Sequence, residues 1–272
     1  MQRSKSRKHP SSWLLLLLAC FLLVSLGINL KIFFDTRQAE NVAKHVYSHR
    51  GASGEEIEHT FAAYDLAIAY GSEYIEQDLV TSKDGTLFVS HDLSAKKITG
   101  VDKLYSDMLD TEIEQLRTAD GGYILRLQDV FDRYKDSIRY VIELKENDKQ
   151  TDLFETIIKK NNLENQVVVQ SFSLKPLEKL SRIFPKMPQL FLTNNQEGLN
   201  NALEKKYVDI IAVNKDLMTS ENKQVVHDHK KLFNVWTLNT EREIKAAIEM
   251  GVDTYFTNFT AKALLLEKEY RN

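Results

Sequence analysis

The feature that most constrains the fold is a regular alternation of short apolar runs with segments of helical periodicity, which begins near Val46. Eight of these runs have the length and the β-branched or aromatic content of buried strands, and they start at residues 45, 74, 140, 167, 190, 210, 234 and 254. Strands that alternate with helices pair in parallel through helical crossovers. The chain is therefore predicted to be an α/β protein, and eight repeats favour a TIM (β/α)8 barrel over an open doubly wound sheet.

One short strand is added to this alternation. Residues 86–90 follow the turn sequence Lys83-Asp84-Gly85, so a small hairpin insertion is predicted at 80–92, after the second barrel strand. No Gly-rich dinucleotide loop follows the first strand, and the sequence contains no GxxxxGK[ST] motif. The nucleotide-binding folds therefore lose their main sequence support.

The N-terminal 34 residues differ in composition from the rest of the chain. Residues 1–10 are basic, and Ser11–Leu30 is an uncharged run dominated by leucine, close to the ~20 residues that a helix needs to cross a bilayer. We therefore predict a cytoplasmic tail at 1–10 and a transmembrane anchor at 11–34. The positive-inside rule then predicts a single-pass protein of the cell membrane whose catalytic domain is extracellular.

Two alternatives to an uncleaved anchor stay open. A cleaved signal peptide would have a shorter apolar core and a small-x-small cleavage site, and no convincing site precedes Asp35. Lipidation is suggested by Leu17-Leu18-Ala19-Cys20, which contains the one cysteine of the chain. The apolar run continues past Cys20, however, where a mature lipoprotein would become polar.

Residues 40–272 suit one domain, because α/β barrels of this size are often undivided. This part contains no cysteine, so it needs no disulfide framework. The chain carries 36 basic and 39 acidic residues, a formal net charge of −3, and no basic stripe stands out in the domain. This charge balance argues against nucleic acid as a partner.

Acidic side chains lie near the carboxyl ends of the second and third predicted barrel strands, where TIM-barrel active sites are found. Glu76 and Asp78 point to the same face of one strand, and Glu143 lies near the end of the next. Their neighbours are apolar, and buried carboxylates are rare unless they are paired or bind a metal. An all-oxygen cluster of this kind predicts Mg²⁺ or Ca²⁺.

Two histidines stand at strand ends beside these acids. His49 ends the first strand and is followed by Arg50, whereas His91 ends the hairpin. Histidine exchanges protons near neutral pH, so two facing histidines can act as acid and base. Arg50 can hold a phosphate oxygen. No Gly-x-Ser-x-Gly elbow occurs, so a serine nucleophile lacks support, and the residues suit the cleavage of a phosphodiester.

These motifs, in this order, resemble the glycerophosphodiester phosphodiesterase family, in a membrane-anchored bacterial form. The family pattern of His-Arg-Gly, Glu-Asn-Thr, Glu-x-Asp, Lys-Asp-Gly and His-Asp is matched by His49-Arg50-Gly51, Glu58-His59-Thr60, Glu76-Gln77-Asp78, Lys83-Asp84-Gly85 and His91-Asp92. The resemblance covers about residues 45–265. One position departs from the pattern, because His59 stands where the family usually has Asn.

The resemblance implies a role for each of these residues. The implied roles are a catalytic pair (His49, His91), ligands of Mg²⁺ or Ca²⁺ (Glu76, Asp78, Glu143), phosphate contacts (Arg50, Lys145), an aromatic pocket wall (Trp236) and neighbours of the site (Glu58, His59). A core tryptophan is nearly as good a reading of Trp236. The substitution at His59 implies an altered substrate fit or metal geometry.

The activity implied by the resemblance is metal-dependent hydrolysis of a glycerophosphodiester to glycerol 3-phosphate and an alcohol. One alternative is a lipid-headgroup-cleaving enzyme of the same barrel type, phospholipase D-like or phosphoinositide-cleaving. The other is a non-catalytic binding protein with a decayed site. The expected partners are a glycerophosphodiester, a lysophospholipid or a glycerol-phosphate polymer as substrate, and the membrane through the N-terminal helix.

Overall fold

The computed structural model describes residues 21–26, 28, 29, 31, 44–145 and 148–271, and the chain divides into two units, 1–41 and 42–272. In the first unit the described residues are helical. The predicted tail at 1–10 and most of the predicted anchor at 11–34 lie outside the described residues. Among the residues that are described, none belongs to a helix both long enough and apolar enough to cross a membrane.

The second unit is a closed barrel of eight parallel strands with one added hairpin strand. In chain order the strands are β1 (Val46–Ser48), β2 (Tyr74–Thr81), β3 (Leu87–Val89), β4 (Arg139–Glu143), β5 (Val167–Ser171), β6 (Gln189–Thr193), β7 (Ile210–Asn214), β8 (Leu232–Trp236) and β9 (Thr254–Thr257). The sheet order is β1-β9-β8-β7-β6-β5-β4-β2-β3, and the pairing of β1 with β2 closes it. β3 runs antiparallel to the far end of β2. The predicted TIM barrel with a hairpin after its second strand is confirmed.

Helices occupy the connections between the strands. They are α1 (Phe61–Ala69), α2 (Lys96–Thr99), α3 (Asp110–Ile113), α4 (Leu127–Tyr134), α5 (Asp148–Asn161), α6 (Leu174–Ile183), α7 (Gln196–Leu203), α8 (Ser220–Asp228), α9 (Glu241–Met250) and α10 (Thr260–Tyr270). Side-chain caps fix several of their starts. The Thr60 hydroxyl accepts a hydrogen bond from the Ala63 backbone N–H at the start of α1. Thr240 and Glu243 form a capping box at the start of α9.

The helix before β8 stops short of the strand, because α8 ends at Asp228 and β8 begins at Leu232. Its continuation is broken because Lys230 has a positive φ of 59° and the Lys231 ammonium turns inward to donate to the Val208 carbonyl at 2.6 Å. α4 was not predicted, although its buried residues follow helical spacing: Leu127, Val130, Phe131 and Tyr134.

Alternation along the strands divides their side chains between the barrel interior and the layer that faces the helices. The interior is filled by a mainly apolar cluster: Tyr47, Val141, Val168, Leu190, Leu192, Ile210, Ala212 and Phe256. Two residues beyond Val141, the same face of β4 carries Glu143. Tyr74 packs on the cluster and shares its face of β2 with Glu76 and Asp78. The fold thus places apolar residues at the base of the interior and carboxylates above them.

A second apolar cluster supports the β2–β3 hairpin: Val80, Phe88, Ala95, Tyr105, Met108, Ile113, Leu116 and Ile124. The hairpin is also tied to the barrel, because the Ser90 N–H donates to the Asp78 carbonyl at 3.0 Å. The next residue is His91. The cluster therefore holds His91 beside the carboxyl end of β2.

Candidate active site

A tight turn follows β1 and positions Arg50. Arg50 and Gly51 have positive φ angles of 61° and 82°, and a Cβ added to Gly51 would lie 2.6 Å from the backbone carbon of Ala63. Only glycine fits that position. The turn directs the Arg50 backbone N–H onto Oε2 of Glu76 at 2.9 Å. The guanidinium group is held by Glu58, whose Oε2 lies 3.1 Å from its Nη1.

Two carboxylates of β2 are almost fully buried and are surrounded by donors. Glu76 is 1% exposed, and its Oε1 accepts from Nε2 of Gln170 at 3.1 Å. Asp78 is also 1% exposed, and its Oδ1 lies 2.9 Å from the ammonium of Lys145. Its Oδ2 lies 2.9 Å from Nε2 of His59 and 3.4 Å from Nε of Arg50.

Glu143 is the third carboxylate, and it lies opposite Asp78 in the register of β2 and β4. Burial, followed by the negative charge of Asp78, raises the pKa values of Glu76 and Glu143 well above their ordinary range. Burial alone would also raise the pKa of Asp78. The hydrogen bond from His59 and the charges of Lys145 and Arg50 instead hold that pKa well below its ordinary value.

These donors fit a divalent cation. His59, Glu76 and Asp78 each offer a ligand atom, and the three atoms lie within 4.8 Å of one another. Gln170, which lines the adjoining cavity, has a buried Oε1 without a hydrogen-bond partner among the described residues. Crowded carboxylates and an unpartnered oxygen are both stabilised by a hard cation. His59 was expected only beside this group, and its Nε2 lies within it.

His49 is held by a neutral partner. Its Nδ1 lies 2.7 Å from Oδ1 of Asn258, the residue that follows β9 by one position. The side-chain oxygen of Asn258 accepts a hydrogen bond from Nδ1–H of His49. Nε2 of the same ring is then the nitrogen that can accept a proton. Burial, followed by the positive charge of Arg50, lowers the pKa of His49 to about 3. The imidazole is therefore neutral at neutral pH.

His91 is held by a charged partner. Its Nδ1 lies 2.7 Å from Oδ1 of Asp92, and its backbone carbonyl accepts from the ammonium of Lys145 at 2.9 Å. Burial lowers the pKa of His91, whereas the charge of Asp78 and the hydrogen bond that His91 donates to Asp92 act in the opposite direction. The ammonium of Lys145, for which a phosphate contact is predicted, lies 2.9 Å from Oδ1 of Asp78 and donates to the His91 carbonyl.

A cavity of about 140 Å³ joins these groups at the carboxyl end of the barrel. Its polar wall includes five predicted site residues: His49, Arg50, Glu76, His91 and Glu143. The apolar wall is formed by Phe172, Leu192, Trp236 and Phe256. The Trp236 indole donates to the Ala212 carbonyl at 3.2 Å and packs edge-on against Phe172, with ring centroids 5.7 Å apart. Trp236 therefore lines the cavity, as the resemblance implied.

Sequence reasoning assigned no role to four residues at the site: Gln170, Phe172, Asn258 and Tyr64, whose hydroxyl lies 2.9 Å from Nδ1 of His59. Strand alternation could have found two of them. Gln170 follows the interior residue Val168 by two positions, and Asn258 follows Phe256 in the same way. Tyr64 and Phe172 gave no such signal, because helix packing and loop geometry place their side chains.

The fold and the residues at its mouth define a class, the TIM-barrel enzymes whose active site lies at the carboxyl ends of the strands. Residues 49–262 match the model of the glycerophosphoryl diester phosphodiesterase family, and the chain belongs to that family. It is a phosphoric diester hydrolase.

Relatives of several kinds support this assignment. The chain is 28% identical over 241 residues to a glycerophosphodiester phosphodiesterase of Bacillus subtilis (strain 168), covering 78% of this chain and 82% of the relative. It is 25% identical to a human lysophospholipase D, and the match covers 81% of this chain and 85% of that relative.

Solved structures show the same fold. A glycerophosphodiester phosphodiesterase from Thermotoga maritima has a TM-score of 0.69 at 25% identity, covering 82% of this chain and 97% of that one. An Oleispira antarctica phosphodiesterase in complex with the product sn-glycerol-3-phosphate has a TM-score of 0.72 at 20% identity, covering 84% and 98%.

Proposed function

We propose that the enzyme converts a glycerophosphodiester to glycerol 3-phosphate and an alcohol by acid–base catalysis with two histidines. One observation carries the proposal: His49, His91, Arg50 and Glu76 line a single cavity at the carboxyl end of the barrel. A phosphodiester held in that cavity would meet two proton-exchanging groups, a guanidinium donor and the cation site at once. A decayed binding site is a poor alternative, because every one of these groups is retained.

Substrate binding is assigned to the arginine and the carboxylate cluster. The Arg50 guanidinium, held in place by Glu58, would donate hydrogen bonds to the phosphate oxygens. Glu76, Asp78 and Glu143 would hold Mg²⁺ or Ca²⁺, with His59 beside them as a hydrogen-bond partner of Asp78. When bound, the cation supplies positive charge that neutralises the phosphodiester and the charge that develops on its oxygens.

The partners of the two histidines assign their first roles. His49 is the base, because Asn258 holds the Nδ1 proton and Nε2 is free to take the proton of the glycerol hydroxyl next to the phosphate. That hydroxyl oxygen bonds to phosphorus, and the bond to the leaving alcohol breaks. His91 is the acid that protonates the leaving oxygen, because the Asp92 carboxylate stabilises its imidazolium form. Water then opens the cyclic phosphate with the two roles reversed.

A substrate panel assayed with different cations tests this function. We expect hydrolysis of glycerophosphocholine with Mg²⁺ or Ca²⁺ and none in excess chelator, because the buried carboxylates repel one another without a cation. Product analysis should find glycerol 3-phosphate and choline. Full activity in chelator would refute the cation site, and phosphocholine as a product would refute the assigned bond cleavage.

Lipid-headgroup cleavage is the second candidate, and the similarity to a human lysophospholipase D favours it. The apolar wall of the cavity, which includes Phe172 and Trp236, gives an acyl or alkyl group a surface to contact. The same panel distinguishes the two candidates. Preferential release of lysophosphatidic acid and choline from a lysophospholipid would support lipid cleavage, and preference for glycerophosphocholine would support the first proposal.

We propose that residues 11–34 anchor the enzyme in the cell membrane with the barrel outside. The uncharged apolar run and the basic residues before it support the proposal. We expect the 40–272 fragment to be soluble and to melt in one cooperative transition, because residues 42–272 form a compact unit of their own. The full chain should sediment with membranes in the same fractionation. A fragment without a cooperative transition, or a full chain that stays in the supernatant, would contradict this assignment.

A further inference from the structure

Two consecutive hydrogen bonds join the first helix to the cation site. The Tyr64 hydroxyl on α1 lies 2.9 Å from Nδ1 of His59, and Nε2 of the same ring lies 2.9 Å from Oδ2 of Asp78. All three side chains are buried: Tyr64 is 0% exposed, His59 2% and Asp78 1%. Water does not replace a lost partner easily at this depth, so each bond constrains the next.

The direction of both hydrogen bonds follows from the chemistry of the partners. Asp78 already faces two permanent cations, with the Lys145 ammonium at 2.9 Å and Nε of Arg50 at 3.4 Å. The Asp78 carboxylate accepts, so Nε2 of His59 carries the proton of that hydrogen bond. In this tautomer Nδ1 is an acceptor, and the Tyr64 hydroxyl donates to it.

We propose that Tyr64 is a positioning residue for the cation site, acting through His59 on Asp78. The hydroxyl donor fixes the Nε2–H tautomer and the orientation of the ring. The ring in turn fixes Oδ2 of Asp78, while Lys145 holds Oδ1. Both carboxylate oxygens are thereby oriented before a cation arrives, which lowers the cost of binding. The inference rests on the proposed cation site and goes beyond it by naming what orients it.

The positions of Tyr64 and His59 in the chain support this role. The backbone of His59 has a positive φ of 61°, and its N–H donates to the Arg50 carbonyl at 3.1 Å. Tyr64 lies in the first turn of α1, where its N–H donates to the Thr60 carbonyl at 3.1 Å. A strained residue and a rigid helix start therefore bring the ring and the hydroxyl together.

The test measures cation binding to the metal-free full chain by calorimetric titration with Mg²⁺ and with Ca²⁺. We expect Tyr64→Phe to raise the dissociation constant of the more tightly bound cation by roughly 10-fold or more. This is the range found for partners that orient metal ligands. Tyr140→Phe is the matched control. Tyr140 is also 0% exposed, and its hydroxyl donates to the Lys135 carbonyl at 2.6 Å, in the loop that enters β4. Both variants should melt at lower temperature, but Tyr140→Phe should bind the cation like the wild type.

A spectroscopic measurement on the wild type gives an independent test. In ¹⁵N-labelled histidine spectra, His59 should show the Nε2–H tautomer, and Tyr64→Phe should move it toward a mixture of tautomers. An Nδ1–H tautomer in the wild type would overturn the inference even if Tyr64→Phe failed to fold. Equal affinity of the wild type and Tyr64→Phe would also overturn it while leaving the cation site intact. A wild type that binds neither cation would remove the cation site itself.

Discussion

Glu76→Gln is expected to lower turnover by at least about 10²-fold while the barrel stays folded. The reason is charge, because the substitution keeps the shape of the side chain but removes the anion that faces the cavity. Glu76 is proposed to bind the cation directly, so its loss should exceed the 10–100-fold effect of losing an outer partner. Turnover of glycerophosphocholine and the cation concentration for half-maximal activity measure the effect. Thermal melting checks that the barrel remains intact.

Glu112→Gln is a matched control for Glu76→Gln. Like Glu76, Glu112 accepts a backbone N–H, that of Leu109 at 2.8 Å, and its carboxylate is further held by Lys103. It lies on the short helix α3 and is not among the residues that line the cavity. Its turnover should match the wild type. A Glu76→Gln enzyme within tenfold of wild-type turnover at the same cation concentration would show that Glu76 does not hold the cation.

His49→Ala and His91→Ala should each lower turnover by roughly 10²-fold or more, the contribution of a positioned acid or base. In the proposed mechanism the two residues act in the same proton transfers, so the double variant should be little worse than the worse single variant. Single-turnover kinetics on glycerophosphocholine would separate the chemical step from product release.

His227→Ala serves as the control for the histidine variants. His227 also pairs with a carboxylate, because its Nε2 lies 2.7 Å from Oδ2 of Asp253. It lies on α8, and Asp253 directly precedes β9, at the end of the barrel opposite the cavity. The control should keep wild-type turnover. If either His49→Ala or His91→Ala did the same, that histidine would have no part in proton transfer.

Local pattern was enough to predict the barrel and the position of the acids. Strand alternation alone put Glu76 and Asp78 on one face, and the order of the strands put Glu143 beside them. The turn at His49-Arg50-Gly51 could also be predicted from the sequence, because it requires a glycine. Gly51 has a conformation and a close contact that only glycine tolerates. The turn at Gly85, where φ is 89°, ends β2 as predicted. These features depend on neighbours in the sequence.

The contacts of Lys145 could not be predicted from the sequence. The family resemblance implied a phosphate contact for its side chain, and β4 ends two residues before it, at Glu143. The backbone of Lys145 leaves the strand and donates to the side chain of Gln150 at 2.9 Å. Its ammonium therefore turns toward Asp78.

The sequence by itself determined the repeating strands and helices, the face on which each strand acid lies, and the residue types gathered at the strand ends. Only the tertiary structure decided which partner each group meets. His49 meets Asn258, 209 positions along the chain, and Glu76 meets Gln170, 94 positions along. The physical reason is closure of the barrel, because β1 pairs with both β2 and β9 and so brings the two ends of the domain together. The periodicity of the sequence predicts the face on which a side chain lies. Closure of the barrel determines which side chains it contacts on that face.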